Sequence, residues 1–444
     1  MTFKNFKSAK IYLESLIPVG AKPAPGLDRI KALLDIMGNP QNSYPTVHVG
    51  GTAGKGSTTT IIAAILEQSG YKTGLHLSPH IEDVRERAQV DGRFMSKAEF
   101  IRLVNYIKPY IEQTSKIYSY GMPTYFEALL ALAFQHFKDS KVDVAVIEVG
   151  LGGTFDGTNV IYPKVAVLTN VGLDHTEILG KTIMAIAKDK IGIFKKGIEI
   201  VSGVTQPSVV KLVKASARYN NCRLDILGRD ITYDIKRFDL KGTVFDLRFN
   251  DLSIFNITTS LLGEHQVVNA AVAIDAALKL NKYGFCIEEK SIRSALRSIS
   301  IPGRFEVVKK GPIVVLDGAH NPMKIGVLIT ALKQYYTGRN ISIVFAVKKD
   351  KNAMKMLKLL SRISKTVYLT KFEAITDFGQ RMSMDPKSIP RISGVKYEVL
   401  ENADDAYRKA IKNSRKNDVI CVTGSLFLVG EIRTLIQRYG NKTW

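Results

Sequence analysis

Cysteine is scarce. Only Cys222, Cys286 and Cys421 occur in 444 residues, far apart. They form no metal or redox spacing and fit a reducing cytoplasm better than a disulfide-bonded scaffold. No run of about eighteen uninterrupted apolar residues is present, so no membrane span is expected. The opening stretch MTFKNFKSAKIYLESLIPVG has no basic start, apolar block and small-residue cleavage site in succession. No export signal is expected from it. Internal repeats and low-complexity tracts are also lacking. Acidic residues are in deficit, 41 against 63 Lys and Arg, which leaves a net charge of +22. That surplus allows attraction to polyanions or to small acidic ligands, and equally a plain lysine-rich surface. The basic residues are spread along the chain without an RNA- or DNA-binding motif, so no nucleic-acid partner is expected.

What remains is an ordinary globular balance, 45% hydrophobic and 23% charged. The length exceeds one comfortable core, so two or three domains are expected. Apolar runs of strand length recur at 46–51, 142–149, 164–171, 312–319, 341–347, 365–370 and 418–424. Continuous β-branched runs suit strands buried on both faces of a parallel sheet. Helical patterns alternate with them. One opens at GKGSTTTIIAAILEQSG, another at Ser96 with Glu99 as a capping box, and another at PTYFEALLALAFQHF with proline at its start. The alternation predicts α/β layers. The best break lies near SISIPG, dividing the chain into 1–299 and 300–444. Residues 220–262 alternate and carry turn residues, which predicts a small antiparallel β insert.

The segment VHVGGTAGKGST, 47–58, offers a strand, a glycine turn, a lysine and two hydroxyls in order. That is the context of a phosphate-binding loop, in which backbone N–H groups and a helix N-terminus face an anion. In that reading Lys55 neutralises phosphates, and Ser57 and Thr58 cap the helix or meet a metal ion. A plain βα turn with glycines for packing is the alternative. Glu148 closes a strand at its carboxyl end, where open α/β sheets bind ligands. Alone it could hold Mg²⁺ or merely cap or face solvent. Lys190 on its own reads as one lysine of a solvated helix face over about 182–194. Asn269 reads as part of a helix-initiating polar cluster.

The spelling G-T-x-G-K-G-S resembles the loop of the Mur ligase superfamily, in particular its folylpolyglutamate synthase and dihydrofolate synthase branch, with Ala53 where that branch carries Asn. The resemblance continues in order through LSPHIEDVRER (77–87), PTYFEALLALAF (123–134), IEVGLGGTFDGTNV (147–160), VGLDHTEILGKTIMAIAKDKIGI (171–193), GEHQVVNAAVA (263–273), PGRFE (302–306), LDGAHNP (316–322) and TGSLFLVGEIR (423–433). Thr154 stands where Arg is usual, Gly157 replaces Ala, and Asp189 and Ile191 are conservative departures.

The resemblance implies a P-loop ATPase-like, mostly parallel sheet flanked by helices with a small antiparallel β insert, then a smaller C-terminal Rossmann-like α/β domain. It implies that Gly51, Thr52, Gly54, Lys55, Gly56, Ser57 and Thr58 hold ATP, with Asn269 at the adenine and Arg304, Asp317 and His320 reaching the nucleotide. Ser78, Glu148 and His175 would surround Mg²⁺. Lys55, Lys190 and His175 would be the catalytic set, with Lys190 carrying a carbamate. Arg87, His320 and Ser425 would contact glutamate or the pterin, whose pocket is expected from loops near 79–90 and 115–125. The implied reaction is ATP-dependent addition of L-glutamate to dihydropteroate or to the γ-carboxyl of a folate, through an acyl phosphate. A hinge at 299–303 would shut out water. A cytoplasmic monomer is the expectation. Two rivals stand beside it. One is another Mur-type ligase acting on a peptidoglycan precursor, disfavoured because only about 46 residues precede the loop. The other is a nucleotide-gated binding module without catalysis.

Overall fold

The computed structural model describes residues 2–18, 26–117, 121–377 and 379–439. Two compact units emerge, one comprising residues up to His80 with Val84–Ile299, the other Ile81–Asp83 with residues from Ser300 on. Among the described residues, no helix is long and apolar enough to cross a membrane.

The first unit contains strands β1 (Thr46–Gly50), β2 (Thr73–His76), β3 (Gln89–Val90), β4 (Arg93–Phe94), β5 (Val144–Glu148), β6 (Val165–Leu168), β7 (Glu199–Ser202), β8 (Arg223–Ile226), β9 (Thr232–Asp239), β10 (Gly242–Arg248) and β11 (Ser253–Thr259). Its helices are α1 (Phe6–Ser15), α2 (Asp28–Ile36), α3 (Lys55–Gln68), α4 (Lys97–Ile117), α5 (Tyr125–Asp139), α6 (Thr176–Leu179), α7 (Ile183–Lys190), α8 (Pro207–Tyr219), α9 (Glu264–Lys279) and α10 (Glu289–Ser298). An eight-stranded sheet runs β4-β3-β2-β5-β1-β6-β7-β8. From β2 to β8 every pairing is parallel, and only β3 and β4 pair antiparallel. All residues of β1 and β5 are buried, which is why their sequences are unbroken apolar runs. One cluster joins α1, α2, α4 and α5 through Leu13, Leu33, Phe100, Ile107, Leu130 and Phe134. A second gathers Ile186, Ile193, Val209 and Val213 under α7 and α8.

Two expectations need correction. The antiparallel insert starts later than residue 220. Residues 223–226 form β8, parallel to β7 at the sheet edge, and only β9–β11 form the three-stranded antiparallel piece. The β8 sequence Arg-Leu-Asp-Ile alternates polar and apolar residues, which reads as antiparallel although its pairing is parallel. Pro123 also does not occupy the first turn of α5. Thr124 is the N-cap and makes a capping box with Glu127. Arg29 reaches the same Glu127 carboxylate at 3.2 Å.

The second unit comprises strands β12 (Glu306–Lys310), β13 (Ile313–Leu316), β14 (Ile341–Phe345), β15 (Thr366–Leu369), β16 (Glu373–Thr376), β17 (Gly379–Met382), β18 (Lys396–Val399) and β19 (Val419–Thr423), with helices α11 (Pro322–Tyr335), α12 (Ala353–Leu360), α13 (Ala403–Lys412) and α14 (Leu426–Tyr439). Its six-stranded sheet, β12-β13-β19-β14-β15-β18, is parallel apart from the edge strand β12. Val314, Val344, Ile420 and Val422 pack with Ala406, Tyr407, Leu428 and Ile432.

The capping box sets a testable increment. Thr124→Ala removes the acceptor for the Glu127 N–H. It should lower unfolding stability by about 1 kcal/mol, read as a shift in denaturant midpoint at unchanged slope.

Candidate active site

The glycine turn leaves β1 at the carboxyl edge of the first sheet and enters α3 directly. Gly54 is the N-cap with φ of +78°, and no side chain caps the helix. A Cβ at Gly54 would lie 2.3 Å from Asn269 Oδ1. Gly51 has φ of +143°, and a Cβ there would lie 2.0 Å from Thr169 Oγ1. Both positions therefore require glycine on conformation and on space. An uncapped helix start leaves backbone N–H groups for an external anion. The expectation that Ser57 or Thr58 caps the helix is corrected, because both lie inside its first turns. Thr58 Oγ1 is buried without a hydrogen-bond partner, and Ser57 is also buried.

The turn is braced from the end of β6. Ala53 N donates to Asn170 Oδ1 at 2.9 Å. The Ala53 carbonyl accepts from Thr169 Oγ1 at 2.6 Å and Asn170 Nδ2 at 3.1 Å. Thr52 N donates to the Asn170 carbonyl at 3.1 Å, and Thr52 Oγ1 accepts from Gly172 N at 3.0 Å. The bonds at residue 53 use its backbone, so alanine there leaves the brace intact. Sequence reasoning missed Thr169 and Asn170. Their only signal was a pair of polar residues at the end of an apolar strand.

Glu148, last in β5, is 5% exposed. Its Oε2 accepts from Ser78 N at 2.9 Å. Ser78 follows the adjacent strand β2, and its Oγ is buried without a hydrogen-bond partner. A Cβ on Gly56 would lie 3.5 Å from Glu148 Oε1, so the carboxylate sits against the first turn of α3. An orphaned hydroxyl beside a fixed carboxylate is a donor set suited to a hard divalent cation such as Mg²⁺. His175 stands at the start of α6 with φ of +49°, its Nδ1 3.8 Å from Glu177. Among the described residues, no group of three or more His, Cys, Asp or Glu side chains forms a metal cluster.

Lys190 ends α7 and is 4% exposed, so it does not belong to a solvated helix face. Its Nζ donates to the Gly51 carbonyl at 3.0 Å. Burial, reinforced by the Lys55 charge, brings its pKa down to about 7. Asn269 lies within α9, not at its start. Its Nδ2 donates to Gln266 Oε1 at 3.0 Å, and its Oδ1 abuts Gly54. Arg87 is 1% exposed. Its Nε meets His80 Nδ1 at 3.0 Å, and its guanidinium lies 5.8 Å from the Tyr125 ring centre. The sequence-based expectation of a substrate contact at Arg87 thus falls on a buried guanidinium held through Nε. Residues 118–120 of the expected 115–125 pocket loop lie outside the described residues.

In the second unit the predicted residues also converge, at the carboxyl edge of its sheet. Asp317 accepts from Phe305 N and Ala319 N, both at 2.9 Å. Burial pushes its pKa up, while nearby Arg304 opposes the rise. A Cβ on Gly318 would lie 2.9 Å from Arg304 Nη1. His320 Nδ1 meets the Gly318 carbonyl at 2.8 Å and Nε2 meets Lys324 Nζ at 3.0 Å. Gly424 N donates to the Ala319 carbonyl at 2.9 Å. Next to it, Ser425 is buried and accepts from Phe427 N at 3.2 Å.

A phosphate-type turn, an acidic strand end and a buried lysine lie in one parallel-sheet unit, a second α/β unit follows in the chain, and the family matches give the class, an ATP-dependent ligase of the Mur type. Residues 49–277 match the Mur ligase middle domain and residues 303–426 the Mur ligase glutamate ligase domain. The dihydrofolate synthase/folylpolyglutamate synthase of Bacillus subtilis (strain 168) is 36% identical over 98% of this chain and 100% of its own. The apo form of L. casei FPGS superposes with a TM-score of 0.84 at 33% identity, covering 98% of this chain and 100% of its own. E. coli FolC in complex with DHPP and ADP gives a TM-score of 0.86 at 26% identity, covering 98% of each chain. The chain belongs to the folylpolyglutamate synthase/dihydrofolate synthase family of ATP-dependent ligases.

Gly54→Ala tests the turn. Alanine at φ of +78° is strained and its methyl meets Asn269. Affinity for an ATP analogue should fall about tenfold or more by titration calorimetry, with the circular dichroism spectrum unchanged.

Proposed function

We propose that this chain joins L-glutamate to dihydropteroate, to the γ-carboxyl of a folate, or to both, with ATP converted to ADP and phosphate. The observation that carries this reading is the buried amine of Lys190 on the Gly51 carbonyl of the glycine turn. A packing turn alone needs no lysine there, and an ammonium in that place bears a desolvation cost.

The chain's own groups have defined tasks in this reading. The backbone N–H groups of residues 51–58 and the Lys55 ammonium hold the phosphates of ATP. Ser78 Oγ and the Glu148 carboxylate, with His175, would hold Mg²⁺. When bound, Mg²⁺ offsets the negative charge that collects during phosphoryl transfer. The acid substrate's carboxylate oxygen attacks the γ-phosphorus, the bond to ADP breaks, and an acyl phosphate forms. The free amine of glutamate then adds to the acyl carbon, phosphate leaves with the oxygen, and the nitrogen gives up one proton to solvent. Asn269 faces the adenine. Arg304, Asp317 and His320 serve the nucleotide and the entering amino acid, with Ser425 beside them. Three free cysteines fit a reducing compartment.

Lys190 would react as the free amine. Nζ forms a bond to the carbon of CO₂ and releases a proton, leaving a carbamate anion. With a pKa of about 7 the amine is about half neutral at pH 7 and about one-tenth neutral at pH 6. Acid therefore removes the reactive form, and turnover should fall as pH drops below about 7. Lys190→Arg should lower kcat by about a hundredfold or more, because a guanidinium forms no such carbamate. Full activity in Lys190→Arg would end this part of the reading.

The deciding assay offers ATP, glutamate and one pterin at a time, and weighs the product. A gain of one glutamyl residue is expected with dihydropteroate, a folate, or both. Phosphate release without a glutamylated pterin would favour a different Mur-type acceptor, and no ATP turnover would favour a binding module.

A further inference from the structure

Thr154 stands where the resembled pattern has arginine, and none of the proposed ligation steps uses it. It is only partly buried, yet it bonds across the fold to the helix that carries Lys190. Thr154 Oγ1 donates to the Asp189 carbonyl at 2.8 Å, and Thr154 N donates to the same oxygen at 3.0 Å. That carbonyl lies in the last turn of α7, where carbonyls have no regular helical partner. It also belongs to the planar peptide unit that runs from the Asp189 Cα to the Lys190 Cα, so holding it fixes the direction in which Lys190 departs.

Neighbouring groups fasten the same joint. Asn159 Nδ2 donates to the Thr154 carbonyl at 3.0 Å and to the Gly192 carbonyl at 3.2 Å, which ties both flanks of Lys190 to one loop. The fit is close. A Cβ on Gly153 would lie 2.8 Å from Lys190 Cα, and one on Gly192 would lie 2.1 Å from Thr154 Oγ1.

We propose that Thr154 is a positioning residue that acts through Lys190: its hydroxyl and amide hold the peptide unit entering Lys190, so that Nζ stands on the Gly51 carbonyl of the phosphate-type turn. The proposal rests on the catalytic reading of Lys190. Without the hydroxyl one of the two bonds from Thr154 to the Asp189 carbonyl, which also accepts from Ile191 N, is lost, and the amine samples orientations away from the turn.

The test compares Thr154→Val, which keeps shape and removes the hydroxyl, with Thr154→Ser, which keeps the hydroxyl. Both are assayed for kcat and for KM of ATP, and both are exposed to ¹³C-bicarbonate with the Lys190 carbamate carbon followed by NMR. T154V should lose about five- to tenfold in kcat at a KM within about twofold, on the scale of one hydrogen bond. Its carbamate signal should drop in parallel and recover with added bicarbonate, while T154S stays near the parent protein. If T154V does not fold, Thr154→Ala replaces it, since alanine adds no bulk against Gly192. Parental kcat and carbamate signal in the hydroxyl-free variant overturn the proposal, even if its melting temperature falls. Failure of the underlying Lys190 reading is separate, because it appears as an active Lys190→Arg.

Discussion

A lysine amine buried against a main-chain carbonyl governs the arrangement of the first unit. Lys190 Nζ and the Gly51 carbonyl meet at 3.0 Å, where burial and the Lys55 charge disfavour a second ammonium. The contact joins the end of α7 to the turn that opens α3. For it to exist, the turn must present its carbonyl inward. That needs glycine at Gly51 and Gly54, and it needs Thr169 and Asn170 to brace the backbone between them. The carboxyl edges of β1, β2, β5 and β6 supply the parts because they are neighbours in one parallel sheet.

Polar atoms at this edge divide into two kinds. Some are satisfied internally and fix shape, such as Asn170 and the Glu148 oxygen on Ser78 N. Others are buried without a hydrogen-bond partner, namely Ser78 Oγ and Thr58 Oγ1. Leaving a hydroxyl unsatisfied costs on the order of 1–3 kcal/mol, which argues for a group that binds there from outside the chain. The orphaned oxygens beside Glu148 and inside α3 are consistent with a cation and a phosphate chain as those groups.

Much of this architecture was legible in the sequence because it is local or doubly buried. The strands β1, β5, β6, β14 and β19 announce themselves as continuous apolar runs, since both faces of each sheet are covered. The glycine turn was legible because strand, glycines and lysine are contiguous. What escaped is non-local. Lys190 looks like a solvated lysine at helix spacing, and segments far away in sequence bury it, the loop carrying Gly153 and Thr154 and the turn at Gly51. Thr169 and Asn170 carry no spacing signal toward residue 53. The burial of Arg87 beside His80 and Tyr125 likewise depends on partners that fold over it and leaves no mark in local spacing. β8 deceived for a different reason, since its sequence alternates polar and apolar residues while its pairing with β7 is parallel.

The central claim is that the turn at 51–58, with Lys55 and Lys190 beside it, grips a triphosphate. A crystal structure with a non-hydrolysable ATP analogue tests it most directly. The account predicts β- and γ-phosphate oxygens within hydrogen-bond reach of the backbone N–H groups of Gly54 to Ser57 and of Lys55 Nζ. A triphosphate lodged elsewhere, with those N–H groups facing solvent, would contradict it.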